Sequence, residues 1–390
     1  MQSYISLPGP GRRSITDVDM NEKPTLLFIS PTVPHQTGNG RSMRAFHTLA
    51  VLSRQFSISL LVVPSGYQAI SVDERVRALC TQVDVLMPHP IFDFFWALRF
   101  AFRKFLPGVY ARISKMPLEW CHLSIFRRRL IRGRYGDKVF DVIHVFRLYA
   151  VSTIGTLKRT ESKPYFQLDI DDFESETRFR MAELHRARGS RRMSGVMYLE
   201  GKKYGQLERA HLPQFDKVFV SSGRDKVKLG EKNLSQHIEI LPNVVEIPKD
   251  VPRKSAHAPF AFLFLGSLHY FPNEDALFHL KYDILPAMLQ ADGGAFRILV
   301  VGGGLANRFS AELREVEQIT LVGEVEDVAP CYAAADAVVI PIRSGGGTRI
   351  KILEAFAYKK PVISTSMGME GIEAVHGADI MIADTPEDFA

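Results

Sequence analysis

The chain has 390 residues, 46% hydrophobic and 24% charged, with a formal net charge of +6, enough apolar material for two buried cores rather than one. Its three cysteines, Cys80, Cys121 and Cys331, are far apart; they exclude a disulfide framework and a zinc-ligand cluster and fit a reducing cytosol. No run approaches the roughly 20 uninterrupted apolar residues that a membrane-spanning helix needs.

In chain order, residues 1–23 read as a loose tail broken by Pro8, Pro10 and Gly11, without the apolar core of a signal peptide. "TLLFIS" (25–30) predicts the first strand, "PTVPHQTGNG" a glycine loop, and Met43, Phe46, Leu49, Ala50 and Leu52 the apolar face of a helix. "SISLLVV", "DVIHVF", "PYFQLDI" and "KVFVSS" predict four later buried strands with helical patterns between them. The rhythm restarts after residue 241 with "AFLFLGS", the helical "NEDALFHLKYDILPAML", "FRILVVGGG", "ITLVGEV", "DAVVIPI" and "PVISTS". Pro242, Pro248, Pro252 and Pro259 punctuate the stretch between the two units, which reads as a linker. The expected organisation is a tail (1–23), an α/β domain (24–241), a linker (242–259) and a second α/β domain (260–390). Two doubly wound, Rossmann-like domains would face each other across a cleft lined by the carboxyl ends of both sheets.

The stretch "SGGGTRIKILEAFAYKKPVIS" (344–364) runs three glycines into an apolar helix. Thr348 is a natural N-cap, and Gly345, Gly346 and Gly347 sit where the unpaired amides of a helix start attract an anion. A bound phosphate would offset the unfavourable placing of Arg349 and Lys351 in the first turn. The alternative is a plain glycine turn with Lys351 paired to Glu354 three residues on. Glu354 lies on a helix that is apolar nearly all round, so its carboxylate needs strong partners such as ligand hydroxyls. Gly38 and Gly40 repeat the anion-binding pattern in the first domain, with Arg41 and Arg44 adding positive charge, although an ordinary strand-to-helix turn explains them equally well.

Asp169 and Asp171 have the D-x-D spacing that suits a divalent cation; carboxylates ending a strand on the cleft side also suit acceptor hydroxyls, and the metal-free use is the expectation. "VVGGGLAN" (300–307) lacks the third glycine of a dinucleotide fingerprint. Between residues 91 and 138 there are 11 Lys or Arg against 3 acids. This segment includes the aromatic "IFDFFWALRFAFRKFL" and predicts either an interfacial helix on an anionic membrane or a core helix with a solvated basic face. Neither it nor the rest of the chain shows nucleic-acid motif spacing.

"GGGTRIKILEAFAYKKPVIST", together with "FLGSLHYFPNEDA", "VVGGG", "LVGEVEDV" and "ADAVVIPI", resembles the donor-binding half of a GT-B fold glycosyltransferase of family 4, the glycosyl transferases group 1. The first half is similar more weakly, and the likeness runs from Thr25 to Phe389. The resemblance implies retaining, metal-independent transfer of a sugar from a nucleotide diphosphate sugar, with no cofactor. The acceptor would be lipid-linked or a polysaccharide, at the cytoplasmic face of a bacterial inner membrane. It implies that Glu354 binds the ribose, and that the second domain holds the donor through Gly266, Ser267, Asn273 and the glycine turn with Thr348, facing Gly38, Gly40 and Arg41. The family's other glutamate falls on Gly346, whose amide would contact the sugar instead. The family's basic pair after the first strand of the second domain is absent, which leaves the diphosphate charge to Arg349, Lys351 or Arg41. His144, or Arg147 beside it, would lie near the acceptor. The family normally continues past residue 390 with helices that cross back to the first domain. These departures keep open a catalytically inactive GT-B-like protein that binds a nucleotide sugar or a partner. A sugar epimerase of the same fold lacks a visible acid–base pair.

Overall fold

The computed structural model describes residues 23–390 apart from 65–70, 90–92, 122, 158–162, 235–236 and 252–258. Nearly all of the expected tail and residues 252–258 of the expected linker lie outside the described residues.

The first domain holds β1 (Thr25–Ser30), β2 (Ser57–Val62), β3 (Gln82–Val85), β4 (Val142–Phe146), β5 (Tyr165–Asp171), β6 (Lys217–Val220) and β7 (Ile238–Ile240), in the order β3-β2-β1-β4-β5-β6-β7. The second holds β8 (Phe260–Leu265), β9 (Phe296–Val301), β10 (Ile319–Gly323), β11 (Ala337–Ile340), β12 (Val362–Ser364) and β13 (Met381–Ile382), in the order β10-β9-β8-β11-β12-β13. Neighbouring strands are parallel throughout both sheets. Parallel sheets need helices on both faces, and β1 shows why its sequence allows this. Leu26 and Phe28 enter the core on one side of the sheet, while Leu27 and Ile29 enter the other. All four are fully buried, each burial favouring the fold by about 1.5–3 kcal/mol.

The predicted helix "NEDALFHLKYDILPAML" is interrupted. A segment from Phe271 to His279 passes through a π-helical turn, Leu280–Ile284, into Leu285–Asp292. Pro286 has no N–H for the regular i−4 bond and stands just inside the last segment, so the wider turn absorbs the missing donor.

In both sheets the strand order reverses at one point, between β1 and β4 and between β8 and β11. A crevice opens there at the carboxyl ends of the strands, because the flanking connections leave in opposite directions. The chain segments following β1, β4, β8 and β11 are therefore the ones placed to build a site.

Candidate active site

After β8 the chain turns at Gly266 (φ 154°), where a Cβ would lie 2.8 Å from Asn273 Nδ2 and 2.9 Å from Lys351 Nζ. Glycine is required for this approach. Lys351 Nζ donates to Asn273 Oδ1 (2.8 Å), and Asn273 Nδ2 donates to the Ser267 carbonyl (2.8 Å). Lys351, Asn273, Gly266 and Ser267 thus form one polar group at the switch point of the second sheet. Lys351 donates to Asn273, so the simple Lys351–Glu354 pair does not describe it. Burial, then the nearby Arg349 charge, pushes the Lys351 ammonium down to about 7, with Glu354 opposing. Burial likewise pushes the Glu354 carboxyl up to about 7 against the Lys351 charge and the Tyr332 hydroxyl. Two groups on one helix turn are therefore each poised between charged and neutral forms at neutral pH.

After β11 the glycine turn winds through Gly345 (φ 133°), Gly346 and Gly347 (φ 64°) before the helix Ile350–Ala357. The residue preceding the helix is Arg349, not Thr348. Thr348 instead ties the turn to the first domain: its hydroxyl accepts from Asn243 Nδ2 (2.5 Å) and its amide donates to Ser221 Oγ (3.3 Å). Arg349 folds back, with Nη1 donating to the carbonyls of Gly346 (2.5 Å) and Gly347 (2.6 Å). Its Nη2 is buried without a partner. Among the described residues, none accepts a hydrogen bond from the amides of Gly345, Gly346 or Gly347. Three successive free amides beside a buried guanidinium are a donor pattern whose chemistry suits an anion.

The first domain brings its own turn to this place. Gly38 has φ 103°, Asn39 caps the helix Gly40–Leu52 by accepting from the Ser42 amide (3.1 Å), and a Cβ on Gly40 would lie 3.0 Å from Ile350 Cδ1. The first glycine turn therefore packs against the start of the helix that follows the second. Arg41 reaches Tyr149 Oη (3.2 Å) and lies 3.8 Å from Glu119, with its side chain 41% exposed.

The remaining sequence-selected residues are buried in the first domain. His144 is 1% exposed, stacks on Phe28 with ring centroids 4.8 Å apart, and shares a hydrogen bond with Gln167 Oε1 (3.1 Å). Burial lowers its pKa and keeps it neutral. This is a packing position within the sheet, and the structure does not bring the ring into the cleft. Asp169 is fully buried and takes a two-pronged contact from Arg44, whose other nitrogen donates to the Leu241 carbonyl and Asn243 Oδ1. That pair fastens the domain linker to the sheet. Asp171 is held by Arg147 (2.7 Å) and lies 3.5 Å from Arg44, and Arg147 also binds Glu174 (2.7 Å). The D-x-D carboxylates are thus engaged by guanidinium groups. Arg147 stands at the carboxyl end of β4 with φ 72° but is 3% exposed and turned into this network.

Residues that the sequence reading passed over complete the seam. A Cβ on Gly346 would lie 2.0 Å from Thr177 Oγ1 and 3.3 Å from Asp172 Cβ, and one on Gly347 would lie 3.1 Å from Asp172 Cβ. Arg180 donates to the Gly345 carbonyl (3.0 Å) and to Glu370, which Arg224 and Lys228 also approach. The only sequence sign of these residues is the acid-rich run "DIDDFESE" following β5.

Two parallel α/β domains with their switch points apposed define the fold of the GT-B glycosyltransferases. Residues 259–390 match the family described as Glycosyl transferases group 1, so the second domain is a glycosyl transferase domain of that group. No curated protein sequence matches the chain. Among solved structures, the fold is similar to that of HepE from Anabaena, in complex with UDP and glucose, at 12% identity and a TM-score of 0.56, covering 94% of this chain and 87% of that one. It is similar to sucrose-phosphate synthase from Thermosynechococcus elongatus at 16% identity and a TM-score of 0.56, covering 88% and 82%. A mutant of TarM from S. aureus, in complex with Fondaparinux, alpha-GlcNAc-glycerol and UDP, is similar at 11% identity and a TM-score of 0.57, covering 94% and 91%.

Proposed function

We propose that the chain is a retaining glycosyltransferase of family 4 that needs neither metal nor cofactor and moves a sugar from a nucleotide diphosphate sugar to a glycan. The observation that carries this reading is the nest of three free amides at Gly345, Gly346 and Gly347, with Arg349 and Lys351 beside it at the second switch point. The diphosphate lies on this nest, Glu354 accepts from the ribose, and Asn273 holds Lys351 towards the phosphates. In the reaction the bond between the anomeric carbon and the diphosphate oxygen breaks, and the electron pair leaves with the nucleoside diphosphate. Amide dipoles and the two cations stabilise that growing charge without reorganising, which is the largest effect such a site can supply. Closure of the two domains excludes water. UDP in the structures of HepE and TarM supports a nucleotide donor here.

The acceptor we infer is lipid-linked or polysaccharide, met at an anionic membrane surface in polysaccharide biosynthesis. Support comes from the segment between residues 91 and 138. Phe94, Leu98, Phe105, Ile113 and Ile125 are each more than half exposed, and Arg128, Arg129, Arg132 and Arg134 are exposed near them in sequence. Among the described residues no helix is long and apolar enough to cross a membrane, so contact would be interfacial.

A second reading, binding without turnover, is favoured by one observation: Gly346 carries no side chain and is pressed against Thr177. One experiment separates the two. Calorimetry with UDP, GDP and their glucose and mannose derivatives should show binding, and incubation with membrane extract should release nucleoside diphosphate. Binding without release selects the second reading; absence of binding defeats both.

A further inference from the structure

Asp172 follows the carboxyl end of β5, where Asp171 adopts φ 61° and turns the chain towards the second domain. A non-glycine residue in that region is unusual, though aspartate tolerates it better than most. Arg147 holds Asp171 and Glu174 at 2.7 Å each and has Asp172 as a third carboxylate neighbour. Asp172 Oδ1 lies 3.1 Å from Arg147 Nη2 but makes no hydrogen bond. Its other oxygen, Oδ2, faces Gly346, 3.3 Å from where a Cβ would stand.

Two unpartnered polar atoms face the same turn. Thr177 Oγ1 belongs to a residue 3% exposed and points at Gly346; Arg349 Nη2 belongs to a residue 8% exposed and lies 2.9 Å from the Cβ position of Gly345. Each buried, unsatisfied polar atom costs about 1–3 kcal/mol. Two of them beside one turn, with Asp172 Oδ2 facing the same glycine, point to a ligand that restores their bonds. The chemistry of the set narrows that ligand. The amides and the guanidinium take the diphosphate, and a carboxylate repels it, so the Asp172 side of the turn calls for another part of the donor. A carboxylate, a hydroxyl and a guanidinium together suit groups that both donate and accept, which are sugar hydroxyls.

We propose that Asp172, with Thr177 beside it, reads the hydroxyls of the transferred sugar across the domain seam, in the space that Gly346 leaves free of a side chain. This rests on the donor-binding reading above and assigns the sugar-recognising acid to the first domain. The seam is closed in this conformation, so the sugar enters with the domains parted and gains the Asp172 contact as they close.

The test uses the full chain, calorimetry with UDP, UDP-glucose, GDP and GDP-mannose, and slow donor hydrolysis. In that hydrolysis the water oxygen bonds the anomeric carbon, the diphosphate leaves with the electron pair, and the proton passes to solvent. For Asp172→Asn, the expected result is nucleoside diphosphate affinity within about twofold of wild type, with the extra affinity contributed by the sugar and the hydrolysis rate each reduced about tenfold or more. Thr177→Val, which removes only the hydroxyl and keeps the branched shape, should shift the sugar's contribution to affinity in the same direction. A folded Asp172→Asn protein with wild-type sugar affinity and hydrolysis overturns the proposal. Should that variant not fold, unchanged sugar affinity in Thr177→Val overturns it. A wild-type chain that binds none of the four ligands defeats the donor-site reading and this assignment with it; a wild type that binds beside an unaffected Asp172→Asn variant defeats this assignment alone.

Discussion

Arg180 of the first domain grips both carboxylate oxygens of Glu370 in the second, and Arg224 and Lys228 crowd the same carboxylate. These three cations come from two helices of the first domain, Glu174–Ala187 and Gly223–Glu231, so one acid closes the seam beside the glycine turn. Burial alone would raise the Glu370 pKa, but the hydrogen bond and charge of Arg180, helped by Arg224 and Lys228, hold it below its usual value. An acid with a depressed pKa stabilises the state that holds it at pH above the ordinary carboxylate value near 4.5, and that contribution fades as pH falls through the lowered value. Closure should therefore be unaffected between pH 6 and 8 and weaken in acid. Glu370→Gln should open the domains at neutral pH at a cost to closure of about 1–3 kcal/mol. Small-angle scattering would show this as a larger radius of gyration, and an unchanged radius would count against the latch.

Lys351 sets a pH dependence on donor binding. With its ammonium pushed down to about 7, the free protein loses that charge between pH 6 and 8, whereas a diphosphate binds the protonated form. Through this group alone, affinity should hold below pH 7 and fall about tenfold per unit well above it. Glu354, pushed up to about 7, acts in the opposite direction, because ribose hydroxyls favour its ionised form. Glu354→Gln should weaken UDP binding by about one order of magnitude and expose the lysine limb alone. Lys351→Met should remove that limb and leave weak binding that strengthens as pH rises and Glu354 ionises. Calorimetry from pH 6 to 9 checks all three proteins.

Arg44 and Asp169 lie within the first domain, away from solvent, with side chains 2% and 0% exposed. Removing one partner strands a buried charge, so Asp169→Ala should cost about 3–5 kcal/mol of stability. Because Arg44 also holds the Leu241 carbonyl and Asn243, and Asn243 holds Thr348, the loss should spread to the glycine turn. Urea denaturation should show a lower midpoint for Asp169→Ala, with the loss of donor affinity following the loss of folded protein. Full stability with selective loss of transfer would instead indicate a direct part in acceptor binding.

The long buried strands were legible because their apolar runs are unbroken: "TLLFIS" is β1, residue for residue. Edge strands were harder. β3 is "QVDV", half-buried along its length, and β13 is two residues long; neither carries a run that separates it from a loop. The turns at Gly38 and at Gly345–Gly347 were readable because glycine and the helix after it are local features. The seam was not. Asp169, Asp171 and Asp172 stand within four positions, and spacing favoured the first two. Which carboxylate is consumed by Arg44, which by Arg147, and which faces Gly346 depends on where the helix Gly40–Leu52 and the end of β4 deliver those arginines. His144 shows the same limit, for nothing local reveals that Phe28 and Phe219 enclose its ring.

Glu208 provides a stability test independent of the active site. Its carboxyl is buried, accepts from the Ser175 amide (2.9 Å), and is pushed up to about 7 by burial. A raised carboxyl pKa means that ionisation destabilises the fold as pH rises from about 4.5 to 7, and the effect is complete above that. Glutamine keeps the acceptor oxygen without the charge. Glu208→Gln should leave stability unchanged near pH 4 and raise it at pH 8 by up to about 3 kcal/mol, from a shift of roughly 2.5 units at 1.36 kcal/mol each. Equal gains at both pH values would refute the ionisation account.

The membrane-facing reading stands on Phe105 and Ile125, each 74% exposed, and on the arginines that follow Ile125 in the helix Ile125–Tyr135. An apolar side chain that enters the headgroup boundary contributes about 1–3 kcal/mol, and each nearby cation about 1 kcal/mol on an anionic leaflet. Glutamate at such a site reverses both effects. Phe105→Glu with Ile125→Glu should reduce sedimentation with vesicles of mixed zwitterionic and anionic lipid by at least about tenfold, while leaving UDP affinity untouched, since neither residue approaches the cleft. Wild-type binding should also weaken as salt rises, because the Debye length shrinks from about 10 Å at 0.1 M to about 3 Å at 1 M. Wild-type sedimentation that ignores both the lipid charge and the salt would remove the surface contact and leave an acceptor that reaches the enzyme from solution.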